Sequence, residues 1–303
     1  MTSRLGAAVA RGLLGTGQAR RAALLLELLR TLPGSELSAP SAPVSVASVS
    51  GEALGGALGL SRAAVHKHVE HLRSLGFAVA TVAGAGYRLE RCFDDLVVAE
   101  AVVPYLLDLI PEECSWTAGL PYRYTAGCSS TNAELRALAA SAPAGTALVT
   151  DEQTGGRGRL GRTWVSRRGQ DLTFSVLLRP ALGPAQAHLL SLAAALAVAE
   201  VLEELEGLEG RVGIKWPNDV LVGGRKVCGI LLEGSMDADR LQWVVAGIGL
   251  NVNSDPAALL RGLDPEQQRE WRGKPLPPAL RGEVGHDIGR APLVARRLGL
   301  RPR

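Results

Sequence analysis

The stretch that most constrains this chain is Asp151–Trp164, DEQTGGRGRLGRTW. It sets Gly155, Gly156, Gly158 and Gly161 among Arg157, Arg159 and Arg162, directly after the strand-like run Thr146–Thr150. Glycine lets a backbone take positive φ and approach a ligand closely, and arginine supplies a permanent forked donor for phosphate or carboxylate. Such a loop can wrap a polyanion. The same composition also suits a flexible basic surface loop or a nonspecific nucleic-acid contact, and neither common nucleotide fingerprint is present. The choice rests on the rest of the chain.

At 303 residues there is room for two or more domains. A net charge of +3 from 33 basic and 30 acidic residues argues against wholesale nucleic-acid wrapping, so any such contact is local. Cys92, Cys114, Cys128 and Cys228 show no C-x-x-C spacing and read as small buried hydrophobes with free thiols in a reducing compartment. His66 and His68 do not share a helix face, and with His71 they have no accompanying Cys or carboxylate cluster, so no metal site is expected. The most apolar run, Leu189–Val198, falls short of a membrane span and continues into glutamates, the pattern of a core helix. The chain reads as cytoplasmic and without membrane contact. Residues 1–19, where arginine interleaves with Ala and Leu, read as a disordered leader.

Residues 20–90 read as a winged helix-turn-helix domain. Apolar residues recur at helical spacing over 20–32 and stop at Pro33-Gly34, and a Ser/Ala/Pro-rich loop covers 35–48. A helix over 49–58, a Gly59-Leu60 turn and a second helix from Ser61 to Leu75 follow. Ser61 is a natural N-cap, and Ala64, Val65, Val69, Leu72 and Leu75 form the buried stripe. A recognition helix offers the polar residues of its first turns to base edges, which makes Ser61, Arg62, His66 and Lys67 the DNA-binding candidates. Residues 76–89 read as the β-hairpin wing.

Residues 91–121 form a junction broken by prolines, and 122–254 alternate strands, helices and hairpins, which predicts α+β with a mixed sheet. Cys128-Ser-Ser-Thr-Asn132 leads into a helix with Thr131 and Glu134 at capping-box spacing, and a helix N-terminus presents N–H groups and hydroxyls to a polar ligand head. Lys215 sits between a strand and Trp216-Pro217, a constrained position. Residues 255–303 are a basic, Pro- and Gly-rich tail without alternating strands.

Three motifs in this order, GRGRLGRTW, KWPND at 215–219 and GRKVCGILLEG ending at Gly234, together with Ser130-Thr131-Asn132, resemble the biotin protein ligase family. That family includes bifunctional members that are also biotin operon repressors, and the likeness covers about Leu54–Asn253. It implies an N-terminal winged helix-turn-helix domain and a biotin/lipoate ligase-type catalytic domain. The small C-terminal β-barrel of the relatives is not recognisable here. Ser130, Thr131, Asn132, Gln153, Arg157, Gly158, Arg159, Lys215 and Gly229 are then the biotin and adenylate contacts, with Lys215, Arg157 and Arg159 catalytic. Trp164 is either a core residue or stacks on adenine, and Asp219 either positions the loop or helps hold Mg²⁺. The implied substrates are biotin and Mg-ATP, and the partners a biotin carboxyl carrier protein and operator DNA, bound by an adenylate-loaded homodimer. The alternatives are an adenylate-binding regulator that has lost ligation and a lipoate-type ligase.

Overall fold

The computed structural model describes residues 2–29 apart from 11 and 13, 48–109 apart from 92 and 94, and 119–299 apart from 262–264, 266–267 and 270–276. The expected loop over 35–48 lies outside these residues but for its last position, as do Cys92 and Cys114. Cys128 and Cys228 are free thiols.

The N-terminal module is helical with a small wing. Helices α1 (Thr2–Ala10) and α2 (Thr16–Leu29) precede the helix-turn-helix pair α3 (Gly51–Leu58) and α4 (Arg62–Ser74). Ser50 and Ser61 cap the pair, accepting from the backbone of Ala53 at 3.0 Å and of Ala64 at 3.2 Å. Between them Gly59 takes the left-handed conformation, φ 64°. The wing is the hairpin β1 (Val79–Val82) and β2 (Gly86–Leu89). Arg73 ties it to α4 through Val79 O at 2.7 Å and Thr81 Oγ1 at 2.8 Å. The winged helix-turn-helix is as the sequence predicts. The leader is not: residues 2–10 are helical, with Leu5 and Ala8 buried. What reads as arginine scattered among Ala and Leu closes an apolar face against α2 and α5 (Ala99–Leu109).

The second unit is a seven-stranded sheet in the order β3-β4-β5-β9-β8-β7-β6. The strands are β3 (Tyr122–Thr125), β4 (Ala147–Thr150), β5 (Leu172–Leu178), β6 (Val212–Lys215), β7 (Asp219–Val222), β8 (Arg225–Asp237) and β9 (Arg240–Leu250). Only β3 and β4 pair in parallel, which makes the domain mixed α+β. Along β5, Leu172, Phe174 and Val176 face one core while Thr173, Ser175 and Leu177 face the other side. Helix α6 (Thr131–Ala137) and the turns after it cover that second side with Leu135 and Ala139 over Leu148, Leu177 and Val245.

The first side is covered by α7 (Ala187–Glu203) and by the chain's last helices. With its leading turn, α7 spans 184–203, 20 residues, long and apolar enough by length and composition alone to cross a membrane, where the sequence pattern alone puts it short. Its Ala194, Ala195, Val198, Ala199, Val201 and Leu202 are buried within the core. The described part of the tail holds α8 (Pro256–Arg261), α9 (Leu280–Val284) and α10 (Arg290–Gly299), and no strand. Helix α10 packs on α5 and α7 with Ala291, Leu293, Val294 and Ala295 buried. The described end of the tail is therefore part of the core.

Candidate functional site

Strand register builds the floor of the site. Pairing places Thr150, Thr173, Gly249, Gly229, Asp219 and Lys215 opposite one another in a single row across six strands. Directly opposed residues project to one face, so this row is one side-chain layer. Its two central members have no side chain. A parallel row runs Leu148, Ser175, Gly247 and Leu231. A Cβ on Gly249 would overlap the Trp164 indole, and one on Gly247 would overlap the Asn132 side chain. The glycines make a hollow that these two side chains enter. Gly249→Ala is accordingly expected to drive Trp164 out of the hollow. Overpacking of this kind costs about 1–3 kcal/mol, readable by denaturant unfolding, with ligand affinity falling roughly tenfold per 1.4 kcal/mol of misplacement.

Helix α6 supplies one wall. Its cap is Ser130, whose hydroxyl accepts from Ala133 N at 3.4 Å, one residue before the Thr131 that the spacing suggests. That frees Thr131: its N–H and hydroxyl both donate to Gln153 Oε1, at 2.8 and 3.1 Å, tying α6 to the arginine loop. The Ser175 hydroxyl lies 2.8 Å from Thr131 Oγ1 and 2.6 Å from Asn132 Oδ1. Asn132 Nδ2 donates to Glu233 Oε2 at 2.8 Å and to Leu231 O at 3.3 Å. An ionised carboxylate only accepts, so Glu233 fixes which way the Asn132 amide points. Asn132 therefore lines the pocket with its polar atoms already engaged, and Ser175 and Glu233 orient it. Neither is among the residues expected from sequence. A signal for Ser175 is present as Thr173-x-Ser175, two hydroxyls on one face of an otherwise apolar strand.

The arginine loop overhangs this floor as an irregular hairpin. Gly158 N donates to Arg162 O at 2.7 Å and Trp164 N to Gly156 O at 2.9 Å, with Leu160 (φ 58°) and Gly161 (φ 73°) left-handed at its tip. Arg157 Nη2 lies 3.9 Å from Glu233 Oε1, and Arg159 donates to Asn218 Oδ1 at 3.1 Å. Lys226 Nζ is 2.7 Å from Asp219 Oδ1, close enough for an ion pair though not aligned as a hydrogen bond, and 5.8 Å from the Trp164 ring centre. Burial holds the Cys128 thiol above its usual range, so it is no ready nucleophile.

At the loop's root, Asp151 accepts from Tyr124 Oη at 2.6 Å and from Arg290 of α10 at 2.9 Å. Arg290, itself buried, also donates to Asp171 O at 3.1 Å and to Asp95 O in the junction. Burial, and then the bond to Asp151, raise the Tyr124 phenol far above its ordinary range and keep it a donor.

Of the site residues expected from sequence, Ser130, Thr131, Asn132, Gln153, Arg157, Gly158, Arg159 and Gly229 come together around this pocket. Lys215 does not line it. It is exposed at the end of the floor row, on the pocket's face of the sheet. Lys226, Asn218, Trp164 and Thr173 do line it. On the other domain, Ser61, Arg62, His66 and Lys67 are all exposed on one end of α4. Ser61 is occupied as the cap, and His66 Nδ1 lies 3.2 Å from the wing's Tyr87 Oη.

The chain is thus an α+β protein: a mixed sheet with a glycine-floored polar pocket under an arginine loop, preceded by a winged helix-turn-helix. Residues 126–251 match the family described as Biotin/lipoate A/B protein ligase family, and residues 46–88 match the family described as HTH domain. The bifunctional ligase/repressor BirA of Bacillus subtilis is 39% identical over 209 residues, covering 69% of this chain and 61% of that protein. The protein of the same description from Escherichia coli is 37% identical over 203 residues, covering 67% and 59%. The solved biotin protein ligase from Aquifex aeolicus in complex with biotin and ATP is 34% identical over 58% of this chain and 66% of that one, TM-score 0.44. The chain thus matches less than two thirds of the length of these curated relatives.

Proposed function

We propose that this chain is an ATP-dependent biotin protein ligase that makes biotinyl-5′-AMP and passes biotin to a lysine of a biotin carboxyl carrier protein. The observation that carries the reading is the pairing of a hydroxyl- and amide-walled hollow with two arginines hung over its mouth. The hollow suits a small polar ring, and the arginines suit the carboxylate and phosphate that meet there. In the first step a carboxylate oxygen of biotin bonds to the α-phosphorus of Mg-ATP, and the bond to pyrophosphate breaks. In the second, the acceptor amine bonds to the acyl carbon, AMP leaves and the amine proton goes to solvent. Magnesium enters with ATP as part of the substrate. Arg157 and Arg159 offset the repulsion of the two anions, a large part of the barrier, and Lys215 reaches in from the edge of the floor row. Ser130, Thr131 and Gln153 recognise the ring, Gly158 and Gly229 let ligand approach the backbone, and Asn132 shapes the wall.

The test is ATP:pyrophosphate exchange by the full chain with and without biotin, and with lipoate in its place. Biotin-dependent exchange is expected, and folded protein that exchanges nothing sinks the enzyme reading. Exchange with lipoate alone points to the lipoate-type ligase. Adenylate binding without exchange points to a regulator that has lost ligation.

The winged helix-turn-helix supports a second role as a biotin-responsive repressor, with the adenylate-bound chain dimerising in the cytoplasm on an operator of two half-sites. Ser61, Arg62, His66 and Lys67 form its contact face. Replacing Arg62 and Lys67 together by Ala is expected to weaken operator binding and to lower the slope of log affinity against log salt by about 2, one for each phosphate no longer neutralised. An unchanged salt slope in a titration by fluorescence anisotropy removes these two residues from the interface.

A further inference from the structure

Two buried polar atoms lining the pocket have no hydrogen-bond partner among the described residues: Thr173 Oγ1 and Trp164 Nε1. Thr173 is 4% exposed and stands in the floor row between Thr150 and Gly249. Its neighbours' hydroxyls are engaged. Thr150 Oγ1 donates to Glu152 O at 3.0 Å, and Ser175, two residues along β5, is taken up by Thr131 and Asn132. A buried polar group left unpaired destabilises a fold, so such groups in a native protein require an explanation. Here both atoms border the same glycine hollow, with Trp164 lying against Gly249 and Thr173 directly across the strand pair from it. A hydroxyl donates and accepts, and an indole N–H only donates.

We propose that Thr173 is a specificity-determining residue, whose hydroxyl, with the Trp164 N–H, hydrogen-bonds a ligand head bearing both N–H and C=O groups, such as a cyclic urea. The inference rests on the biotin reading above and says how biotin is told from a head of similar size without those groups, such as a dithiolane. A urea pairs both atoms, whereas a dithiolane seals them from water unpaired. A site built to hydrogen-bond its substrate rejects an analogue lacking the groups far more strongly than an apolar pocket discriminates by shape.

The experiment is calorimetric titration of the full chain with biotin and with lipoic acid, for the wild type, Thr173→Val and Thr173→Ser. Valine keeps the shape and removes the hydroxyl, and is expected to weaken biotin binding about tenfold, the scale of one buried hydrogen bond. Serine is expected to restore affinity to within about threefold, and lipoic acid to bind the valine variant no more weakly than the wild type. Equal binding of biotin and lipoic acid by the wild type overturns the role of Thr173 even if the valine variant does not fold. Undiminished biotin binding by the valine variant, or equal weakness of the valine and serine variants, overturns the role of Thr173 alone. Absence of biotin binding by the wild type overturns the ligase reading with it.

Discussion

Lys215→Ala is expected to lower kcat for biotin-dependent ATP:pyrophosphate exchange by roughly 10²–10³-fold, the size of loss seen when one fixed electrostatic donor is removed from a site where charge develops. Strand register aims the residue. Lys215 pairs with Asp219 across the β6–β7 hairpin, and Asp219 pairs in turn with Gly229 of the pocket floor. All three share a face of the sheet, so the lysine points to the ligand's side although it lies outside the pocket's lining. Asp219 is taken by Lys226 at 2.7 Å, and among the described residues no ion pair holds Lys215. Its ammonium is thus available to the two anions that the proposed adenylation brings together. Lys226→Ala, which removes a cation of the pocket wall that is already paired with Asp219, is expected to cost less than Lys215→Ala. The opposite order in parallel exchange assays means the reacting cation is Lys226, the lysine already in the pocket wall.

How much of this was legible in the sequence depends on how far apart the cooperating residues lie. The arginine loop and the helix-turn-helix are local patterns found where periodicity and capping residues place them, and α6 starts within one residue of its expected cap, at Ser130 instead of Thr131. The hollow is not local. Gly247 and Gly249 stand two residues apart in a strand that reads only as apolar, and what they leave room for, Asn132 and Trp164, lies about a hundred residues away. Glu233 reads as one more residue of a motif until β8 brings it to Asn132, a separation of 101 residues. The leader misleads for a related reason. A short helix of Ala, Leu and Arg has no intrinsic stability, and its order comes from burial against α2 and α5. The tail misleads through composition: many arginines suggest solvent, yet one of them is among the most buried charges in the chain.

That arginine carries the second large expectation. Arg290→Met should destabilise the chain by about 3–5 kcal/mol, the cost of removing one partner from a buried ion pair. The guanidinium is 3% exposed and Asp151 is 18% exposed, so water does little to screen the charge left behind. Methionine keeps much of the stem's apolar volume and removes the charge and its donors. Three segments then have no common tie: the junction at Asp95, the start of β5 at Asp171, and the root of the arginine loop at Asp151. Asp151→Asn added to the methionine variant should recover part of the loss. The amide carries no uncompensated charge, yet its oxygen still accepts from Tyr124, which burial keeps protonated. Denaturant unfolding of the two single variants and the double measures the coupling directly. A loss below about 1 kcal/mol in Arg290→Met, the range of an exposed pair, means the tail helix packs on this core without holding the loop. A large loss partly rescued makes the tail a support of the arginine loop, joined through one side chain to the domain that precedes it.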